Sequence, residues 1–137
     1  MDDDAHETGA AVAVVPITGG KPHILTDYDL FGYVADWGWK TNEIVFATDI
    51  AAEQKDFDPT GVTWDLWTIH PDGTGLRKLT TGTGHQYGSP RWTPDGKHIT
   101  AYDHALHGGV IVDPATGKVE PFITTGDYTR PIIRPVP

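Results

Sequence analysis

Apolar residues along this chain come in short runs, each cut off within a few positions by glycine, proline or a polar turn. Strands of four to seven residues joined by tight hairpins are what such spacing predicts. In no window of about 11 residues free of Gly and Pro do apolar positions recur at i, i+3, i+4 and i+7, the signature of an amphipathic helix. Residues 50–57, IAAEQKDF, have room for two helical turns and are the one helical candidate. The pattern predicts an all-β chain.

The strands repeat. Residues 14–26, VVPITGGKPHILT, lie over residues 68–80, TIHPDGTGLRKLT, so that Val15 meets Ile69, Gly19 meets Gly73, and Leu25-Thr26 meets Leu79-Thr80. Residues 112–124, VDPATGKVEPFIT, form a third copy with a tighter turn at Thr116-Gly117. A second module lies between the hairpins: residues 36–49, DWGWKTNEIVFATD, match residues 91–103, RWTPDGKHITAYD, through Trp37 with Trp92 and Ile44 with Ile99, and both end on Asp. Proline at the second turn position and glycine where φ turns positive make Pro94-Asp95-Gly96 a turn with a mechanism. Residues 130–135, RPIIRP, overlay SPRWTP at 89–94 and begin one more copy.

Strand counts of two, four, four and one follow. They predict a partial β-propeller of four-stranded antiparallel blades: hairpin 12–26, blade 33–80, blade 89–124 and closing strand 130–135, behind an acidic flexible N-terminus at 1–10. Trp37, Trp92 and Ile133 take equivalent inner-strand positions and are expected between blades, where large side chains bury most area.

LWTIHPDGTGLRKLT followed by SPRWTPDGKHITAYD resembles the TolB-like repeat, a WD-type propeller repeat of bacterial envelope proteins also found in prolyl-oligopeptidase-type peptidases. The resemblance runs from about residue 11 to 137. It implies a propeller that binds rather than catalyses, in the periplasm, the envelope or a secreted or lipoprotein setting. The first module departs from it, with Gly38-Trp39-Lys40-Thr41-Asn42 in place of the Pro-Asp-Gly turn. The terminal PIIRPVP resembles the closing strand of actinobacterial propellers of this kind. The alternative it leaves open is the substrate-filtering propeller of a peptidase whose hydrolase domain lies elsewhere.

Composition narrows the chemistry. The net charge is −9, from 19 acidic and 10 basic residues, a field that repels a phosphate backbone and disfavours a nucleic-acid partner. With no cysteine there is neither a disulfide framework nor a thiolate site. The longest apolar run, Ala10–Val15, is too short to span a membrane. The opening MDDDAHE lacks the basic-then-apolar order of a signal peptide, so either the protein is not exported or the sequence begins downstream of its signal, and a cytoplasmic setting stays open. The sole serine, Ser89, is followed by Pro90 and Arg91 and fails the G-x-S-x-G elbow, so no catalytic residue is assigned. The Asp-Gly pairs at 72–73 and 95–96 lack a calcium loop's alternating oxygens, and Gly82-Thr83-Gly84 lacks the Lys of a phosphate loop.

Histidines and carboxylates concentrate in the connections at one end of the predicted blades. Asp103, His104 and His107 share one loop, His85 and Tyr87 begin the same blade, Asp49, Asp56 and Asp58 sit in the matching loop before it, and Asp127 and Tyr128 in the next connection. These are the candidate binding-face residues. No organic cofactor is expected. His85, Asp103, His104 and His107 are candidate ligands for a divalent cation, and solvated loop residues account for them as well. The expected partner is another protein, or a second copy of the chain joined through open blade edges. A third possibility is a metal-binding enzyme using the same His/Asp rim.

Overall fold

A computed structural model describes residues 10–30, 32–48, 64–80 and 85–123. The helical candidate at 50–57, the closing strand at 130–135 with Ile133, and all but the last residue of the acidic N-terminus lie outside them. The described residues are all-β apart from one 3₁₀ turn, Tyr28–Leu30, and no helix among them is long and apolar enough to cross a membrane. Strands β1 (Ala13–Val14) and β2 (His23–Ile24) form a hairpin. Strands β3 (Gly32–Gly38), β4 (Glu43–Thr48), β5 (Asp65–Ile69) and β6 (Arg77–Lys78) form one four-stranded antiparallel sheet in chain order. Strands β7 (Tyr87–Trp92), β8 (Ile99–Asp103), β9 (Gly108–Val112) and β10 (Val119–Ile123) form a second. This meander of consecutive hairpins is the build of a propeller blade.

The repeat holds down to single hydrogen bonds. The Thr26 hydroxyl accepts from the backbone N–H of Val12 at 2.9 Å, and the Thr80 hydroxyl accepts from that of Leu66 at 3.0 Å, fourteen residues back in each case. Leu25 and Leu79 donate their N–H to the carbonyls of Val12 and Leu66, both at 2.8 Å. Gly19 and Gly73 close their turns at φ 89° and 90°, a conformation with little steric cost only for glycine. The inner strands β3 and β7 each carry a bulge at the same place, between Tyr33 and Asp36 and between Gly88 and Arg91. Val34 and Ser89, matched in sequence, both take positive φ there, 54° and 50°. A β-branched valine in that region is strained, and its recurrence opposite Ser89 marks the bend as part of the blade plan.

The blades pack face to face. Val45, Ala47 and Leu66 from the first sheet meet Ile99, Ala101, Val110 and Val112 from the second in one buried cluster, and Trp92 packs against it. The first sheet's opposite face holds Ile44, Phe46 and Ile69, covered by Val12 and Leu25 of the hairpin. Period-two alternation along β4 sends Val45 and Ala47 one way and Ile44 and Phe46 the other, which is why this strand is apolar almost throughout.

Trp37 and Trp92 are equivalent in register, opposite Ile44 and Ile99, but they are not equally covered. Trp92 is half-buried against the neighbouring sheet, whereas Trp37 is 49 % exposed, contrary to the expectation that both pack between blades. The reason is positional. Trp92 packs against the preceding blade, whereas what precedes β3 among the described residues is the outer hairpin alone, which meets β3 at its first residue, Gly32, whose N–H donates to the Ala10 carbonyl at 3.2 Å.

The seat of Trp92 is specific. Its backbone N–H donates to Asp36 Oδ2 of the other blade at 2.7 Å. Gly38 leaves the room for its ring, since a Cβ there would lie 2.8 Å from Trp92 Cδ1 and 2.6 Å from Thr41 Oγ1. Gly38→Ala is therefore expected to lift Trp92 off the first blade and lower stability by about 1–3 kcal/mol. Urea denaturation followed by tryptophan fluorescence measures this, and an unchanged midpoint refutes the seat.

Candidate functional site at the histidine rim

At one end of the two sheets the chain enters β5 and β7 and leaves β8, and these three points are tied together. Trp64 bridges in parallel to Gln86: its N–H donates to the His85 carbonyl, and its own carbonyl accepts from the Tyr87 N–H, both at 3.1 Å. Asp103, the last residue of β8, is completely buried. Its carboxylate accepts from the backbone N–H of Gln86 at 3.2 Å and of Ala105 at 3.0 Å, and lies 2.8 Å from His85 Nδ1. A buried carboxylate is tolerable only when so fully bonded. With Nδ1 held as the donor, His85 keeps Nε2 without a partner among the described residues, on a side chain 34 % exposed. Its ring lies parallel to that of Tyr87, centroids 5.3 Å apart and planes 7° apart.

His104 occupies a second niche beside the first. Its ring meets Trp64 edge-on at 5.3 Å and Tyr102 at 4.8 Å, and its N–H donates to the Gln86 carbonyl at 2.9 Å. Burial holds its imidazole below the ordinary value of 6.5, the charge of Asp103 opposing that shift and His107 adding to it. Burial also pushes the Tyr87 phenol up to about 12, helped by the charges of Asp103 and Asp65. Thr80 reaches the same region, its hydroxyl donating to Asp65 Oδ1 at 2.8 Å while accepting from Leu66.

A cleft of about 300 Å³ opens beside these groups, lined by Thr80, His85, Tyr87, Leu106, Val119 and Pro121 among others. Leu106 is 60 % exposed at its mouth. Of the candidates read from sequence, His85, Tyr87 and Asp103 converge here, and His104 stands on the neighbouring aromatic face. His107 sits in the exposed β8–β9 turn at φ 55°. Asp49, Asp56, Asp58, Asp127 and Tyr128 lie outside the described residues. Among the described residues, no three His, Asp or Glu side chains are grouped to hold a metal ion. Asp103 faces inward as the bonding hub of two loops, so the four candidate cation ligands do not share one shell.

Sequence reasoning missed Trp64, Asp65, Thr80 and Leu106. Thr80 carried a signal, the recurring Leu-Thr that closes each hairpin. Register also amends one equivalence: counted from Ile44 and Ile99, the residue matching Asp103 is Thr48, not Asp49. Thr48 is likewise buried and accepts from Trp67 Nε1 at 3.1 Å.

Consecutive antiparallel four-stranded sheets packed face to face define part of a β-propeller. No family model and no curated protein matches the chain. Solved structures do. A TolB-type protein from Agrobacterium tumefaciens aligns over 81 % of this chain and 40 % of its own, at 16 % identity and TM-score 0.62. The tricorn protease aligns over 84 % and 9 %, at 19 % identity and TM-score 0.53. Oligogalacturonate lyase in complex with manganese aligns over 78 % and 28 %, at 19 % identity and TM-score 0.52. The chain thus spans less than half the length of each, and at these identities the likeness is one of fold. In fold, the described residues are β-propeller blades like those of the TolB-type protein.

The two shifted groups at this rim give a pH dependence of defined sign. His104 titrates lower folded than unfolded, so the unfolded chain binds more protons near its ordinary pKa; stability rises with pH there and is lost on acidification below about 6.5. Tyr87 titrates higher folded, so its contribution is intact below 10.0 and is lost as pH climbs from there through about 12. The urea midpoint should fall between about pH 7 and about pH 5, and fall less in His104→Asn. Ultraviolet titration should show one tyrosine ionising late, absent in Tyr87→Phe. An acid limb identical in His104→Asn contradicts the first assignment.

Proposed function

We propose that the chain is a non-catalytic binding module that grips a segment of a partner protein in the cleft beside His85, Tyr87 and Leu106. The single observation that carries this reading is how the polar groups there are used. Asp103 and Thr80, the groups best suited to activate a water or a nucleophile, are spent on hydrogen bonds that hold loops and strands together. What the cleft presents is an exposed leucine, the His85–Tyr87 stack and the single nitrogen Nε2. Apolar surface with one directional polar group suits a side chain of a partner rather than a reaction.

The partner is a different protein rather than a second copy. In a copy-to-copy contact of the same type, Trp37 would have to seat on the face of the second sheet that turns away from the first. There Arg91 and Thr93 stand where the first sheet has Asp36 and Gly38, so both the acceptor and the gap that receive Trp92 are missing. The setting that goes with this reading is the bacterial envelope or the secreted fraction, as for proteins that the repeat resembles, provided the full protein carries an export signal.

Peptides selected from a displayed library on the immobilised chain, then titrated by calorimetry, test the proposal. Binding should weaken about tenfold or more in Leu106→Asp, with the thermal midpoint unchanged because that side chain is exposed. Selected peptides that bind the variant equally well refute the cleft, and turnover of ester, amide or glycoside substrates by the purified chain refutes the non-catalytic reading.

A further inference from the structure

At the opposite end of the same two blades lies a second concave site, of about 180 Å³, between the ends of β3 and β7 and the turns that follow them. The turns themselves touch: a Cβ on Gly96 would lie 3.1 Å from Thr41 Cγ2 and 3.2 Å from Lys40 Cβ. Trp39, Lys40, Arg91, Trp92 and Thr93 contribute to its walls.

Three observations mark it as a ligand site. The first is the break in the repeat. Architecture recurs between the blades, but where the second blade has the compact Pro94-Asp95-Gly96 turn, the first has Trp39-Lys40-Thr41, which the fold does not need. Trp39 is 78 % exposed, and Trp37, which also lines the site, is 49 % exposed. Two indoles left open to water at one site point to a surface kept for contact. The second is charge. In a chain of net charge −9, Lys40 and Arg91 both come to this site, and neither has a carboxylate partner among the described residues. The carboxylates nearby are taken up: Asp36 accepts the Trp92 N–H, and Asp95 accepts from the Thr93 hydroxyl and the Lys97 N–H. The third is that Lys40 Nζ stands 5.4 Å from the centroid of the Trp39 ring, so a cation and an aromatic face are offered together.

We infer that this site binds an acidic saccharide, a sugar ring bearing a carboxylate. The C–H face of a pyranose stacks on an indole, and its carboxylate pairs with Lys40 or Arg91. A hydrophobic protein anchor would leave both cations buried against it unpaired, which is costly. The inference is independent of the protein-binding cleft at the other rim.

The test is titration of the full chain with a glucuronic acid trisaccharide and, in parallel, with the neutral glucose trisaccharide, read by calorimetry and by the indole N–H resonances of a ¹⁵N spectrum. The acidic sugar is expected to bind with a dissociation constant of about 1 mM or tighter, shifting the Trp39 resonance and leaving that of Trp64, at the far rim, in place. Trp39→Ala and Lys40→Gln are each expected to weaken it about fivefold or more. Both positions are exposed, so the thermal midpoint confirms that the variants fold. Equal binding of the neutral sugar, binding unaltered in Trp39→Ala, or no binding at about 10 mM each overturns the inference. So does self-association of the chain that Trp39→Ala abolishes, which would make the indoles a protein contact.

Discussion

The seam between the two blades is the contact on which the rest of the molecule depends. Apart from one another, the two four-stranded sheets would each leave an apolar face bare to water, which is unfavourable. The face formed by Val45, Ala47 and Leu66 is buried only because Ile99, Ala101, Val110 and Val112 lie over it. Side chains of this size gain roughly 1.5–3 kcal/mol each on full burial. That driving force has no direction, so it does not decide how the sheets are aligned. Alignment comes from the polar and steric keys along the seam: Asp36 accepting the Trp92 N–H, Gly38 making space for the indole, and Trp64 bridging to Gln86 at the far end. At the outer edge, Arg77 donates to the Pro114 carbonyl at 2.8 Å.

Those keys are also what position the two candidate sites. The histidine rim exists because β5, β7 and β8 end together, and Asp103 can be buried there only by collecting donors from the connections on both sides of β7–β8. His85 is thereby held with one nitrogen committed and the other presented. At the other end, the turns after β3 and β7 meet because their strands have been set side by side by the same seam. A structural contact and a binding surface therefore share residues, and a substitution at Asp36 or Asp103 is expected to disturb both together, whereas Leu106 and Trp39 stand clear of the seam.

The repeat separates what the fold demands from what it does not. Thr26 and Thr80, Gly19 and Gly73, and the paired bulges at Val34 and Ser89 recur because every blade must close its hairpin and bend its inner strand. The differences carry the individuality of the chain. Asp103 stands where the first blade has Thr48, and its two oxygens serve His85, Gln86 and Ala105 together, more donors than one hydroxyl oxygen takes. Trp39 and Lys40 stand where the second blade has a plain Pro-Asp turn.

Local pattern was enough for the class of fold, for the four-strand meander and for the turns, because alternation of period two, the φ of proline and the positive φ of glycine act within a few residues. The Leu-Thr ending of each hairpin even carried the buried hydroxyl bond, although its partner fourteen residues back was not evident. Contacts between blades were not legible in this way. Trp37 and Trp92 are the same residue in the same register, yet among the described residues only Trp92 is seated against a neighbouring blade, and nothing within a dozen residues of either states which. Asp103 read as a metal-ligand candidate because it stands beside His104 and His107 in a loop, with solvated loop residues as the other reading. It became a buried hub through N–H groups of Gln86 and His85 brought from another segment. The outcome for a polar group depends on which donors reach it before water does, and that is settled by the packing of distant strands.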